Sequence, residues 1–515
     1  MAFNPNATFK LSSTKPYYYR RIPCLPLCAA VALVVILLIV VVFPSPRSTP
    51  SQLRFGIVID GGSSGSRIHV YGWRIGEGMT REVDFAESGE MKVNPGLSTY
   101  AREPERAGES LVELVEFGKG RVPRHLWGET EVRLMATAGL RMVESEARER
   151  ILESCRRVLR ASGFRFRDDW ASVIPGTDEG IYAWVAANYA LGTLGGDPRE
   201  TTGIIELGGA SAQVTFVSRE PLPREFSHPL NFGGSTYNLY SHSFLHLGQN
   251  VAHESLQEML APEGLKSEHV HQGIYDPCTP RSYSHGSESM KLFTDTPSLQ
   301  TEDTGVSHAA GNYSACRALA LTLLHKEKDK CSYEKCLLGS TFVPRLQGRF
   351  LATENFFYTS KFFGLGSLPS LSDLVSSGRQ FCEEDKLRLK KKYSALPEED
   401  FSRYCFSSAY IVALLHDSLG LSLDNDRISF VNQVDNVPID WALGAFIMQG
   451  ASTPTTPHSW IAAINRENLL ALVFLLIVSA LMVFTTWAVS KWKKPQLKTV
   501  YDLEKGRYIV TRIHR

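Results

Sequence analysis

The sequence predicts an α/β fold built as two related lobes that share one cleft. Three observations carry that expectation. Apolar strand-like runs alternate with stretches of helical periodicity along most of the chain. One strand–loop–strand design occurs twice, as IVIDGGSSGSRIHVY at 57–71 and IIELGGASAQVTF at 204–216. Each copy has an apolar strand, an acid, a Gly-Gly loop with serine, and a second strand, the acid lying one place earlier in the second copy. Finally, two long uncharged apolar segments bracket the alternating region.

Those two segments are 25–43 and 468–489, each close to the roughly 20 residues that cross a bilayer core. Lys10, Lys15, Arg20 and Arg21 precede the first, and Lys491, Lys493, Lys494 and Lys498 follow the second. The positive-inside rule then predicts a two-pass membrane protein with cytosolic tails at 1–24 and 490–515. A long leader and the lack of a small-residue cleavage site argue against a removed signal peptide. The lipid bilayer is thus an expected partner, and the two helices offer a route to homo-oligomers. With 515 residues and a net charge of +1, the chain gives no electrostatic case for nucleic acid, and none is expected as a partner. The basic run KLRLKKK at 386–392 reads as a solvated helix face.

Cysteine usage fits an exported body. Cys24 and Cys28 sit at the membrane edge, and seven more follow. Cys331 and Cys336 lack the second ligand pair a zinc site needs. Disulfides Cys331–Cys336, Cys382–Cys405 and Cys278–Cys316 are expected instead, with Cys155 left free. Asn312, in Asn312-Tyr313-Ser314, is the glycosylation sequon of this part.

Taken in order, FGIVID (55–60) and IHVYGW (68–73) read as paired strands, 104–119 as a helix, and EVRLMAT (131–137) as a strand. Residues 143–162 read as a charged amphipathic helix, a strand follows near 171–174, and YAWVAANYAL (182–191) is helical after the GTDEG turn. The repeat implies a first lobe over 50–175 and a second over 176–436, with a return to the first at 437–450 and a linker at 451–467. From 218 to 330 the periodicity is weak. His242 and His246 stand at i, i+4, a spacing that binds metal on a helix, but no carboxylate accompanies them and packing roles are favoured.

The two Gly-Gly loops carry the chemistry. A loop of glycines and serines exposes several backbone N–H groups, a nest that binds phosphate. An acid beside an anion site repels it unless a divalent cation sits between. Asp60 beside Gly61-Gly62-Ser63-Ser64-Gly65-Ser66, and Glu206 beside Gly208-Gly209-Ala210-Ser211, therefore both ask for a metal–phosphate ligand.

At this point a resemblance is plain. DGGSSGSRIHVYGW (60–73), ATAGLRMV (136–143), GTDEGIYAWVAANYALG (176–192), ELGGASAQVTF (206–216) and DWALGAFIM (440–448) are similar, in that order, to motifs of the nucleoside triphosphate diphosphohydrolase, or apyrase, family. KVNPGLSTYA (92–101) and YCFSSAYIVALL (404–415) also resemble family segments. The resemblance implies a two-lobed actin-like (ribonuclease H-like) fold and metal-dependent hydrolysis of nucleoside di- and triphosphates. It implies Glu179 as the base, its neighbour Asp178 being set aside, and Ser211 and Gln213 as holders of the attacking water. Gly62, Ser63, Ser64, Gly65 and Ser66 would cradle one phosphate, and Gly208, Gly209, Ala210 and Ser211 the next. Asp60 and Glu206 would bind the waters of Ca²⁺ or Mg²⁺, with Thr137 and Trp441 in the outer shell. Phe357 and Tyr358, in FFYTSKFF (356–363), resemble the segment that supplies a stacking platform for the base.

Three departures stand out. Glu206 and Ala212 replace the aspartate and threonine common in the family, and the first loop reads S-S-G-S-R where cell-surface members read S-S-H-T-S. The latter difference resembles the plant and Golgi branches, which favour diphosphates such as UDP and GDP. Golgi residence is thus expected over the plasma membrane, with a broad surface apyrase and a non-catalytic nucleotide-binding protein as alternatives.

Overall fold

Phe55, Ile57, Val58 and Ile59 are all buried, so the first strand is covered on both faces, as a central strand must be. The structure, a computed structural model, describes residues 53–75, 81–260, 275–281, 308–452 (apart from 367, 398–400 and 425–426), most of 497–512, and the isolated positions 478, 481 and 484. The first sheet comprises β1 (Arg54–Gly61), β2 (Ser66–Ile75), β3 (Arg81–Val93), β4 (Glu131–Ala136) and β5 (Ala171–Val173), in the order β3-β2-β1-β4-β5. β1, β2 and β3 are antiparallel neighbours, whereas β4 joins β1, and β5 joins β4, in parallel. A parallel neighbour needs a crossover, here through α1 (Val112–Arg121). The expected helix over 104–119 is instead two short 3-10 turns leading into α1, with Pro104 at the start of the first turn.

The second sheet repeats the first. Its strands are β6 (Gly203–Leu207), β7 (Ser211–Val217), β8 (Ser227–Phe232), β9 (Ser235–Leu245), β10 (Phe350–Glu354) and β11 (Ile428–Phe430), ordered β11-β10-β6-β7-β9-β8. β6 pairs antiparallel with β7 and parallel with β10, as β1 does with β2 and β4. The duplicated loop motif thus belongs to a duplicated sheet, with β8 added at one edge.

α2 (Ser145–Arg160) follows the expected amphipathic segment. It buries Ile151, Leu152, Cys155 and Leu159 and pairs Arg160 with Glu153 at 2.8 Å and Asp168 at 2.7 Å on the wet face. α3 (Gly176–Ala190) begins six residues before the expected start, so GTDEG forms its first turn rather than a preceding loop. Asp178 and Glu179 there meet the positive end of the helix dipole. Two helices run between the sheets: α3 and α10 (Trp441–Ser452). Val58 and Met135 from the first sheet, Ile204 and Leu351 from the second, Trp184 from α3 and Phe446 from α10 form one apolar cluster. Each large apolar side chain so buried contributes about 1.5–3 kcal/mol. Gly444 lies against the carbonyl of Tyr182, and any side chain there would separate the helices.

The remainder of the second lobe packs α4 (Gln249–Leu260), α5 (Tyr313–Leu324), α6 (Asn355–Phe362), α7 (Leu371–Glu383), α8 (Lys386–Lys392) and α9 (Tyr404–Val412). Asn312 caps α5 by accepting from the Ala315 N–H at 3.0 Å. The three expected disulfides are all present and Cys155 is free. His242 lies on β9, not on a helix, and packs against Phe226 and Phe244, while His246 is exposed beyond the strand end. Four residues of extended chain hold the two rings roughly 13 Å apart, too far for them to share an ion.

Among the described residues no helix is long and apolar enough to cross a membrane. The expected spans at 25–43 and 468–489 lie outside them, save for the three isolated positions. In the C-terminal tail, a separate unit, Leu497–Asp502 and Arg507–Arg512 pair as a hairpin with Tyr501 against Tyr508.

Candidate active site

β1 ends at Gly61 and β6 at Leu207, and the loops that follow meet over one cleft. It is lined by Asp60, Gly62, Ser63, Ser64 and Gly65 from the first loop and by Glu206, Gly208, Gly209, Ala210 and Ser211 from the second. A Cβ at Gly209 would lie 2.8 Å from Ser63 Oγ, so glycine there permits the loops to touch. Thr137, Glu179, Gln213 and Trp441 complete the expected set. Ser66 is not in the lining. As the first residue of β2 it pairs with Gly61 and Val93 and is fully buried within the sheet. Asp178 is half-buried and also outside the cleft.

Five further residues join the site: Arg67, Lys92, Ala138 and Glu354 in the lining and, through hydrogen bonds, Arg141. Arg67 and Lys92 stand in register with Asp60 across β1, β2 and β3. Glu354 ends the strand FLATE, a largely apolar run leading to an acid as in IVID and IIE, and that signal could have found it. Its φ of 61° is in the left-handed region, held by a 2.8 Å bond from its N–H to Asn432 Oδ1. Arg141 lies within ATAGLRMV, but nothing in its spacing indicates that it reaches α3.

Glu179 Oε2 accepts from Arg141 Nη2 at 2.6 Å, and the same nitrogen lies 3.4 Å from Ser211 Oγ. Gln213 Nε2 donates to Ser211 Oγ at 2.6 Å and to Ser243 Oγ at 3.1 Å. Burial pushes the Glu179 carboxyl up to about 7, against the opposing pull of Arg141. Replacing Arg141 with alanine removes that pull, so the Glu179 carboxyl rises further. The acid limb of kcat/KM then moves to higher pH, and for every pH unit it moves the active fraction at acidic pH falls about tenfold. A pH–rate profile checks this, and an unmoved acid limb would refute it.

Asp60, Glu206 and Glu354 are likewise raised, chiefly by burial and then by neighbouring carboxylates, with Arg67 opposing at Asp60 and Glu354. Asp60 Oδ1 and Glu206 Oε2 are buried without a hydrogen-bond partner. Buried oxygens without partners are costly, and an all-oxygen set of this kind suits a hard dication such as Ca²⁺ or Mg²⁺. The residues present therefore fit the cation that the loops ask for.

Phe357 and Tyr358 lie on α6 just beyond Glu354 but outside the lining. Phe357 is half-buried under Lys361 and Tyr358 is 44% exposed, whereas the neighbouring Phe356 and Phe362 pack in the core.

Two duplicated sheets that close glycine loops and unpaired carboxylates over one cleft define a class of two-lobed proteins suited to a phosphate chain with its cation. The GDA1/CD39 (nucleoside phosphatase) family profile matches residues 47–463, and the chain belongs to that family. It is 55% identical over 472 residues to Probable apyrase 6 of Arabidopsis thaliana, covering 90% of this chain and 85% of that protein. It is 31% identical to Ectonucleoside triphosphate diphosphohydrolase 3 of Homo sapiens, over 80% of this chain and 83% of the other. The fold resembles a crystal structure of nucleoside triphosphate hydrolases from Neospora caninum, with TM-score 0.59, 19% identity and coverage of 82% and 95%. The protein is a nucleoside phosphatase of the apyrase type, and its fold is the two-lobed actin-like one.

Proposed function

We propose that this enzyme hydrolyses the terminal phosphate of nucleoside diphosphates in preference to triphosphates, in the Golgi lumen, with a divalent cation. The observation that carries the chemistry is the placement of Glu179 beside the hydrogen-bonded Ser211–Gln213 pair, with a carboxyl poised at about 7. Ser211 and Gln213 hold a water in line with the terminal phosphorus, and Glu179 takes its proton as the new P–O bond forms. The bridging P–O bond breaks, its electrons leaving with the shortened nucleotide, and inorganic phosphate departs. Backbone N–H groups of the two loops cradle adjacent phosphates, while Arg67 and Lys92 add positive charge to the wall of the first lobe. Asp60 and Glu206 would hold Ca²⁺ or Mg²⁺ through water, with Thr137, Glu354 and Trp441 around them; when bound, the ion neutralises charge on the phosphate oxygens.

The diphosphate preference rests on the S-S-G-S-R loop, whose Arg67 lines the cleft. Lumenal placement is supported by the basic flanks of both apolar segments, the three disulfides and the exposed Asn312 at the start of α5. The test is phosphate release by the full-length chain in detergent from UDP, GDP, ADP, ATP and UTP, with Ca²⁺, Mg²⁺ or chelator. Metal-dependent release fastest from UDP and GDP is the expected result. Equal turnover of ATP and ADP would overturn the preference and favour a surface apyrase.

A further inference from the structure

Next to the cleft, three ligand-type side chains converge that the hydrolytic machinery does not use. His69 on β2 faces Glu90 on β3 in strand register, and Asp440, immediately before α10, approaches the same imidazole. His69 is 4% exposed, yet its Nδ1 makes no hydrogen bond to either acid: Glu90 Oε2 is 3.6 Å away and Asp440 Oδ2 3.9 Å. Both distances exceed hydrogen-bonding range. One donor atom from each residue lies within 4.8 Å of the other two. Bound to one zinc ion, such atoms would be about 3.4 Å apart, given metal–ligand bonds near 2.0–2.2 Å, so small side-chain shifts would close the set.

Asp440 divides its oxygens. Oδ1 accepts from the Leu443 N–H at 2.8 Å and faces the Tyr71 hydroxyl at 3.5 Å, which leaves Oδ2 directed at His69. The Glu90 side chain is 56% exposed and forms the solvent rim, so an ion has a way in. Arg67 is the one competing charge that acts on His69 among the described neighbours. It is outweighed locally by Glu90, Asp440, Asp60 and Glu354, each of which acts on it.

We propose that His69, Glu90 and Asp440 form a second cation site, selective for zinc-class ions and distinct from the hard-ion site at Asp60 and Glu206. One imidazole nitrogen, two carboxylate oxygens and an open position for water suit Zn²⁺, whereas Ca²⁺ and Mg²⁺ favour oxygen alone. An ion there ties the edge of the first sheet to the start of α10, whose first residue, Trp441, lines the cleft.

The test uses the untagged full-length chain in detergent, stripped by chelator and held in excess Mg²⁺ to fill hard sites. Zinc bound at equilibrium dialysis is measured by elemental analysis, and Co²⁺ is substituted to read its visible absorption. Wild type and the double variant Asp60→Asn/Glu206→Gln should retain a zinc equivalent that His69→Gln and Glu90→Gln both lose. The Co²⁺ bands should vanish with the same two substitutions. If buried His69→Gln fails to fold by circular dichroism, the rim variant Glu90→Gln decides alone. Unchanged zinc in folded Glu90→Gln, no zinc in wild type, or loss only in the Asp60/Glu206 variant would each overturn the proposal.

Discussion

Glu179→Gln should lower kcat for phosphate release by about 10²–10⁴-fold, the span of a lost general base, while nucleotide binding persists. Glutamine keeps the shape of the side chain and can still accept from Arg141, so the cleft should remain folded. What it loses is the ability to take a proton from water. Burial in the cleft holds the Glu179 carboxyl at about 7, the working range of a base at neutral pH. Asp178, adjacent in sequence, is half-buried and outside the lining, so Asp178→Asn should leave kcat within a fewfold of wild type. Steady-state kinetics with a fluorescent-nucleotide binding control separate the outcomes. Equal losses in both variants, or loss of binding in Glu179→Gln alone, would sink the assignment of Glu179 as base.

The second large effect concerns the carboxylates that crowd the cleft. In the metal-free protein, burial and the repulsion of neighbouring acids raise Asp60, Glu206 and Glu354 above their ordinary values. A carboxyl raised in the folded state binds protons more tightly there than in the unfolded chain. Their contribution to stability is therefore fully present below the ordinary carboxylate range and is lost as pH rises through the folded values. A dication reverses that fall, adding about 2.7 kcal/mol at a hundredfold excess over its Kd. Thermal melts at neutral pH should thus show the wild type stabilised by Ca²⁺ or Mg²⁺. Asp60→Asn/Glu206→Gln should melt higher than metal-free wild type, ignore the added ion and lose at least about 10²-fold in phosphate release. A double variant that is less stable than metal-free wild type, or still stabilised by the ion, would contradict this account.

Asp60 and Glu206 are legible in the sequence because an acid closing an apolar strand before a Gly-Gly loop is a local pattern, and local patterns survive folding. The duplicated sheet is legible for the same reason, since IVIDGGSSGSRIHVY and IIELGGASAQVTF each encode a central strand, a loop and its antiparallel partner. Glu354 ends a third such strand, but it lacks the glycines that mark the other two. Cysteine pairing is also readable from compartment and spacing.

Other features depend on elements distant in sequence. Arg141 reaches Glu179 only because the turn after β4 packs beside the first turn of α3, and the charge of Glu179 is set by how deeply that turn is buried. Ser66 is lost to the phosphate cradle because strand pairing claims it, a demand of register that composition does not reveal. The cluster of His69, Glu90 and Asp440 joins residues on two strands to one about 350 positions later at a helix start. By itself the sequence determined the strand pairs around the two glycine loops, the loops themselves and the acids beside them, since these follow from side-chain period and backbone sterics among neighbours. The strands at 81–93, 227–245, 350–354 and 428–430 carried no such combined local signal. Tertiary structure alone decided which charges meet, how dry each carboxylate is and which oxygens lack partners, because burial and Coulomb energy depend on distances that only packing sets.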